Sequence, residues 1–369
     1  MESFLTNLLG DNLVTMLIYC ALPLVFVFSY ALLAMLGELK ISAWMQDRLG
    51  PMRTGPYGVF QPIADVVKLL QKEDITPRQA DTFLFTLAPF LAFMGSYAAF
   101  AAIPFSSMYI GANLDIGLFY VFAVGSIGVV ALMMAGWSSN NKYSLYGAMR
   151  SVAQIVSYEV PAAMSLLIVV LVVGSLNMQD IVLAQSGPFW NWFIFGGPKH
   201  AVTLTSGTVI DGSWTYLIFL PFFAATFLMY YVSALAETNR TPFDIPEAES
   251  ELVSGYHTEY SSMKFAMFYM AEYSNMFLVS AIAAIVFLGG WQTPYGTTIG
   301  ELVGVPWLGA LEQFGWLAFK GMFLVFVMIW LRWTLPRLRV DQLMYMCWKV
   351  LIPFSFGIAL IVGFLVMIV

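Results

Sequence analysis

The chain has 369 residues, of which 60% are hydrophobic and 10% charged, with 16 basic and 22 acidic residues and a formal net charge of −6. Such a composition excludes an ordinary soluble domain and describes a membrane protein. The acidic balance argues against nucleic acid as a partner, and the two cysteines, Cys20 and Cys347, have no spacing that suggests a disulfide or a metal cluster.

A bilayer core takes about 20 apolar residues per spanning helix. Runs of that kind fall at roughly 13–36, 82–105, 114–137, 152–175, 214–236, 263–289, 315–335 and 348–369. The expected fold is all-α: a polytopic bundle of about eight transmembrane helices, read as one integral membrane domain over 1–369. The first run lacks a preceding Lys or Arg and a following cleavage site, so it is expected to be a retained helix. Cys347 falls in an expected short loop.

If the chain alternates sides, the connections near 37–81, 138–151, 237–262 and 336–347 share one face. With helix flanks, that face holds Lys40, Arg48, Arg53, Lys68, Lys72, Arg78, Lys142, Arg150, Arg240, Lys264, Arg332, Arg337, Arg339 and Lys349. Lys199 lies opposite and Lys320 lies inside a run. This asymmetry puts the basic loops in the cytoplasm and both termini outside. The outer stretch "GPFWNWFIFGGPKH" has the aromatic content of an interfacial anchor.

The first cytoplasmic loop is patterned. After Pro62, a residue suited to a helix start, Ile63, Val66, Val67 and Leu70 recur at i, i+3, i+4 and i+7, with Asp65, Lys68 and Lys72 off that stripe. A helix of about 14 residues ending before Pro77 is too short to span, so it is expected on the membrane surface or packed over the bundle. Upstream, "DRLGPMRTGP" is a shaped loop in which Arg48 and Arg53 suit an anionic lipid head, a partner's carboxylate or a polar ligand group. In the third loop, "RTPFDIP" breaks helix, and Asp244, Glu247, Glu249 and Glu251 repel one another unless cations face them. A solvated acidic loop that docks to a basic partner has the same pattern.

Charges inside a bilayer are costly, so acids there point to a use. Glu159 is expected about seven residues into the fourth helix and Glu272 about nine into the sixth, with Glu237 where the fifth helix meets the loop. Tyr158, Tyr269 and Tyr273 stand nearby. Such acids suit a proton or ion route, and equally suit neutral glue between helices. Lys320 is expected to snorkel outward or to pair with an acid. No GxGxxG, P-loop or CxxC is present, and His200 and His257 lie in linkers. Electrons, if involved, come from another subunit.

Four stretches carry a resemblance to a known family: "GPMRTGPYGVFQPIADVVKLL", "AMRSVAQIVSYEVP", "ETNRTPFDIPEAESELVSGYHTEYSSMKFAMFYMAEY" and "WLRWTLPRLRVDQLMYMCWK". The chain resembles, over essentially its whole length, the H-subunit family of the proton-pumping NADH:quinone oxidoreductases, the respiratory complex I of bacteria and its mitochondrial counterpart. The resemblance implies a membrane subunit, not catalytic alone, that walls a quinone cavity at the junction with the peripheral arm and couples quinone reduction to proton translocation. It implies quinone as substrate, no cofactor held by this chain, and NADH, FMN and iron-sulfur clusters on partner subunits. The implied partners are the peripheral-arm quinone-module subunits and small membrane subunits, in the bacterial cytoplasmic membrane.

Carried over by position, the implied cavity residues are Glu38, Arg48, Arg53, Asp65, Lys68, Arg240 and Asp244, and the implied coupling residues are Arg150, Glu159, Glu237 and Glu272. One departure stands out: where the family commonly has Glu-Arg-Lys or Glu-Arg-Arg, this chain reads Glu38-Leu39-Lys40, with Lys40 the candidate to replace the arginine. Related readings are the homologous subunit of a hydrogenase- or ferredoxin-linked complex and a stand-alone ion transporter.

Overall fold

The computed structural model describes residues 13–205, 209–210, 212–245 and 252–368. Glu247, Glu249 and Glu251 of the acidic loop lie outside the described residues. Among the described residues, eight helices are long and apolar enough to cross a membrane: α1 (Leu13–Met45), α3 (Thr82–Ala99), α4 (Gly117–Ser138), α5 (Lys142–Val173), α7 (Leu220–Glu237), α8 (Ser262–Phe287), α10 (Pro306–Thr334) and the last, built from α11 (Val340–Tyr345), a π-turn at Met346–Leu351 and α12 (Ile352–Val366). Short helices α2 (Gln61–Gln71), α6 (Met178–Ala184) and α9 (Ile299–Val303) lie in connections, with a small antiparallel pair of Val202–Thr203 and Val209–Ile210.

Several helices outrun their apolar stretches. α1 continues through Glu38 and Lys40 to Met45, α10 starts at Pro306, and Cys347 sits in helical backbone rather than a loop, its thiol donating to the Ser157 carbonyl at 3.0 Å. α5 starts at Lys142, where Asn141 caps the Tyr143 amide, and ends at Gly174 in the left-handed region. Glu159 therefore stands seventeen residues along its helix (159 − 142) rather than seven. α2 is shorter than expected: it ends at Gln71, six residues before Pro77.

The connections form two separate sets. On one side the Ile75 amide donates to Ser261, Asn140 to the Gln79 carbonyl, Asn141 to Glu259 at 2.6 Å, and the Leu338 amide to the Pro242 carbonyl. On the other, Ser107 donates to Gln313, Asn177 to Asn113, and the Phe189 amide to the Pro294 carbonyl. The chain thus alternates sides, as the basic residues required.

Helix α8 runs through the middle: 83% of its most apolar stretch is buried, against 22% for α4 and for the last span. Phe277 anchors it, with the rings of Phe26, Tyr30 and Phe100 within 6.2 Å. Its far end is held by Lys320 of α10. The ammonium donates to the carbonyls of Leu288, Gly290 and Gln292 at 2.7, 2.8 and 2.8 Å and lies 4.0 Å from the Trp192 ring centroid. Among the described residues Lys320 pairs with no acid: it satisfies carbonyls of the turn that follows the helix end at Phe287. The "FWNWF" segment accordingly divides its work, with Trp190 exposed like an anchor and Phe193 fully buried.

A turn at Gly255–His257 lies against α5 at a point of backbone contact. A Cβ on Gly147 would stand 2.7 Å from the Gly255 Cα and 2.9 Å from the Tyr256 nitrogen. Gly147→Val is expected to push the turn off α5 at a cost of about 1–3 kcal/mol, read as a lower melting temperature of the detergent-extracted protein. An unchanged melting temperature would show that the contact yields freely.

Candidate functional site

Helix α2 lies across α1 and α8 and roofs a chamber of about 620 Å³. Its walls are apolar: Phe28, Ala31, Leu32 and Met35 from α1, Ile63, Val66 and Leu69 from α2, and Phe265, Ala266, Tyr269, Met270 and Tyr273 from α8. Asp65, Lys68 and Lys72 supply a polar edge, with Lys68 donating to Asp65 at 3.2 Å. The stripe on α2 is only partly covered, since Ile63 keeps 49% and Leu70 59% of its surface. Of the two expectations for this helix, packing over the bundle is what is seen, with part of its apolar stripe left uncovered. A space of this size, mostly apolar with a few polar groups, suits a small amphiphilic molecule.

Tyr273 joins the chamber wall to a buried charge cluster. Its hydroxyl donates to Glu38 at 2.7 Å, and Arg240 donates from one nitrogen to both Glu38 oxygens at 3.0 and 3.2 Å. Arg332, from α10, closes on the same carboxylate. The Arg240 guanidinium also stands 5.0 Å from the Tyr273 ring. Glu38 and Arg240 are 8% and 9% exposed, so solvent screens this cluster little. Two guanidiniums on one carboxylate leave a net charge of +1 at the end of an apolar space. The Lys40 ammonium donates to the Pro51 carbonyl at 2.6 Å, bracing the loop between α1 and α2, while the second cation on Glu38 comes from α10.

Behind this cluster lies a smaller cavity of about 70 Å³, largely apolar in lining but holding three carboxylates, with room for a few waters. Glu159 from α5, Glu237 from the end of α7 and Glu272 from α8 all line it, together with Asn239, Asn275 and Tyr256. The Tyr256 hydroxyl donates to Glu272 at 2.5 Å. The floor is held by α5: Gln154 donates to the Ala236 carbonyl, the Asn239 side chain and the Phe243 carbonyl at 2.8, 3.1 and 2.9 Å. The two spaces share their joints, because Glu237 and Arg240 are three positions apart, and Glu272 and Tyr273 are neighbours on α8.

The remaining candidates are dispersed. Asp244 is buried and accepts from Arg337 at 3.0 Å, next to the 238–243 turn that carries Arg240. Arg48 and Arg53 are exposed on the loop and are not among the residues that line the chamber. Arg150 stands apart from the three acids. It lines a separate groove with Tyr146, Ile245 and Leu343, because nine residues at about 100° each put it on the face of α5 opposite Glu159. Three members of the site escaped the sequence reading as site residues. Arg332 was visible as a cation at the end of an apolar run, Tyr273 as the neighbour of Glu272, and Tyr256 carried no signal.

The sequence matches the family described as NADH dehydrogenase over residues 18–363. The chain is 53% identical over 348 residues to the H subunit of the NADH-quinone oxidoreductase of Chlorobium luteolum, covering 92% of this chain and 86% of that protein. It belongs to this H-subunit family. The same protein of Chlorobaculum tepidum is also 53% identical, over 92% of this chain and 89% of its own length. The second H subunit of Cytophaga hutchinsonii is 42% identical over 92% and 96%. Membership in the H-subunit family makes the chain one part of an oxidoreductase complex, not an enzyme by itself, and its eight apolar helices make it a multi-pass membrane protein.

Proposed function

We propose that this subunit walls a quinone-binding cavity where the membrane part of the complex meets its peripheral arm, and passes the consequence of quinone reduction to a proton route. The observation that carries the proposal is the shared joint: an apolar chamber whose wall residue Tyr273 hydrogen-bonds Glu38, and a cavity of three carboxylates lined by the very next residue, Glu272. The isoprenoid part of a quinone matches the apolar walls, and the cationic end offers donors to a head group that gains electrons. Asp65 and Lys68 sit at the chamber edge, and Arg48, Arg53 and Asp244 belong to the surrounding loops that face the peripheral arm.

Electrons arrive from NADH through FMN and iron-sulfur clusters held on partner subunits, and this chain binds none of these groups itself. Reduction takes up two electrons and two protons. Negative charge that appears in the chamber is felt first by the Glu38–Arg240–Arg332 cluster, which holds a fixed positive charge at low screening. Arg240 lies on the same short turn as Glu237, so a change in its pairing alters the field at the carboxylate cavity, where Glu159, Glu237 and Glu272 take or release protons. Arg150 acts at the cytoplasmic mouth of α5. The basic loops face the cytoplasm, and both termini lie on the opposite side.

The test uses membranes carrying Glu237→Gln, with NADH-to-quinone turnover and ΔpH compared to NADH-to-ferricyanide activity, which reports the peripheral arm alone. Turnover and ΔpH are expected to fall at least tenfold, a barrier change of about 1.4 kcal/mol, while ferricyanide activity persists. Quinone turnover and ΔpH equal to wild type would overturn the proposal.

A further inference from the structure

The turn at Gly255–His257 touches both compartments at once. On one side the Tyr256 hydroxyl reaches Glu272 at 2.5 Å in the carboxylate cavity. On the other, the His257 ring stands edge-on to Phe265 at 5.4 Å and 5.9 Å from Tyr269, and both rings line the apolar chamber. The Tyr256 and His257 rings meet at 4.8 Å, nearly perpendicular. His257 is 5% exposed. An imidazole is the side chain whose ordinary titration falls between pH 5 and 8, and this one fills the partition between the chamber and the acids.

We propose that His257 is a positioning residue of the carboxylate cavity: wedged between the ring wall of the chamber and Tyr256, it sets the proton affinity of Glu272 through the Tyr256 hydroxyl. This rests on the function proposed above and adds a second link between the two compartments, one and two turns along α8 from the Tyr273–Glu38 contact. A ligand that displaces Phe265 or Tyr269 presses on the imidazole, and the imidazole presses on the phenol that holds Glu272. The phenolic donor favours the ionised carboxylate, so a lengthened bond raises the affinity of Glu272 for a proton.

The surroundings leave few other groups to do this. Helix α4 carries no charged side chain, and α5 contributes Lys142 and Arg150 in its first three turns. Glu259, next along the chain, is bonded to Asn141, and Lys264 of α8 is paired with Asp74 at 2.9 Å. Among the described residues, Glu272 is the acid bonded to this turn. Burial lowers the pKa of His257, and the Glu272 carboxylate opposes that shift.

The experiment measures NADH-to-quinone turnover against pH in membranes carrying His257→Asn, Tyr256→Phe and the double variant, with ferricyanide activity as the assembly control. His257→Asn removes the ring that holds Tyr256 in place, and Tyr256→Phe removes the hydroxyl that donates to Glu272. Each is expected to move the pH profile to the alkaline side by about half a unit, a threefold change in proton affinity. Because the histidine acts through the tyrosine, the double variant is expected to match Tyr256→Phe rather than sum the two shifts. A His257→Asn profile that overlays wild type overturns the proposal whatever the activity level. If His257→Asn membranes lose ferricyanide activity, the Tyr256→Phe profile decides, and its failure to move is equally fatal. Failure of the parent function is read separately, from unchanged turnover and ΔpH in Glu237→Gln.

Discussion

Glu38→Gln is expected to abolish NADH-to-quinone turnover and to reduce the amount of intact complex in the membrane. The wild-type carboxylate accepts both contacts of Arg240, closes on Arg332 and takes the Tyr273 proton. A neutral amide leaves two guanidiniums side by side in a space where Arg240 is 9% exposed. Removing one partner of a buried pair costs about 3–5 kcal/mol, because the remaining charge keeps its desolvation penalty without its attraction. Arg240 is the buried member, so the loss is expected within that range, with a smaller share from Arg332, whose side chain is 33% exposed. The double variant Glu38→Gln with Arg240→Gln strands only Arg332. It is expected to restore complex content, measured by native electrophoresis and melting temperature, without restoring quinone turnover. Equal complex content in the single and double variants would mean that charge pairing does not hold this region together.

Lys320→Met is the second change with a large expected effect, and it works through folding. The methionine matches the length and apolar stem of lysine, so the change isolates the ammonium. Three carbonyls, of Leu288, Gly290 and Gln292, lose their donor at once, and the Trp192 face loses its cation. Hydrogen bonds to a charged group contribute about 1.5–3 kcal/mol each, and the three share one donor, so a total loss on the order of 3–5 kcal/mol is expected. Thermal unfolding of the purified complex reads it directly. A melting temperature within a degree of wild type would mean that water enters and replaces the ammonium, and the assignment of Lys320 as a structural clamp would fail.

The bundle was largely legible because the bilayer imposes a length and a polarity on every span, and each of the eight runs left that mark. The ends were not. Hydropathy sees the part of a helix that lies in hydrocarbon, so the polar turns at Gly37–Met45, Lys142–Ser151 and Pro306–Phe314 read as loop although their backbone is helical. Fixing the start of α5 at Lys142 moved Glu159 from seven to seventeen residues along its helix. The chemistry of the site was legible one residue at a time. Glu38, Arg240 and the three acids stand out because charges are rare in such a chain. Their arrangement is a property of packing: Glu38 meets Arg240 across 202 positions, and Arg332 arrives from a third helix. Arg150 shows the limit from the other direction. It shares a motif with Glu159 but not a face of the helix, and only the helical repeat, counted over nine residues, separates them.

The clamp at Lys320 has a mechanical consequence. Helix α8 behaves as a beam fixed at one end, with Leu288 and Gly290 held by the ammonium and the phenylalanine contacts of Phe277 along its length. From Leu288 back to Glu272 is sixteen residues, a lever of about 24 Å at 1.5 Å per residue. Glu272 and Tyr273 lie about four and a half turns before that fixed end, one in each compartment. A tilt about the fixed end therefore displaces both side chains together, and a small angle at the pivot becomes a change in hydrogen-bond length at Glu38 and at Tyr256 in the same stroke. Stiffness at one end of the beam is what makes motion at the other end readable.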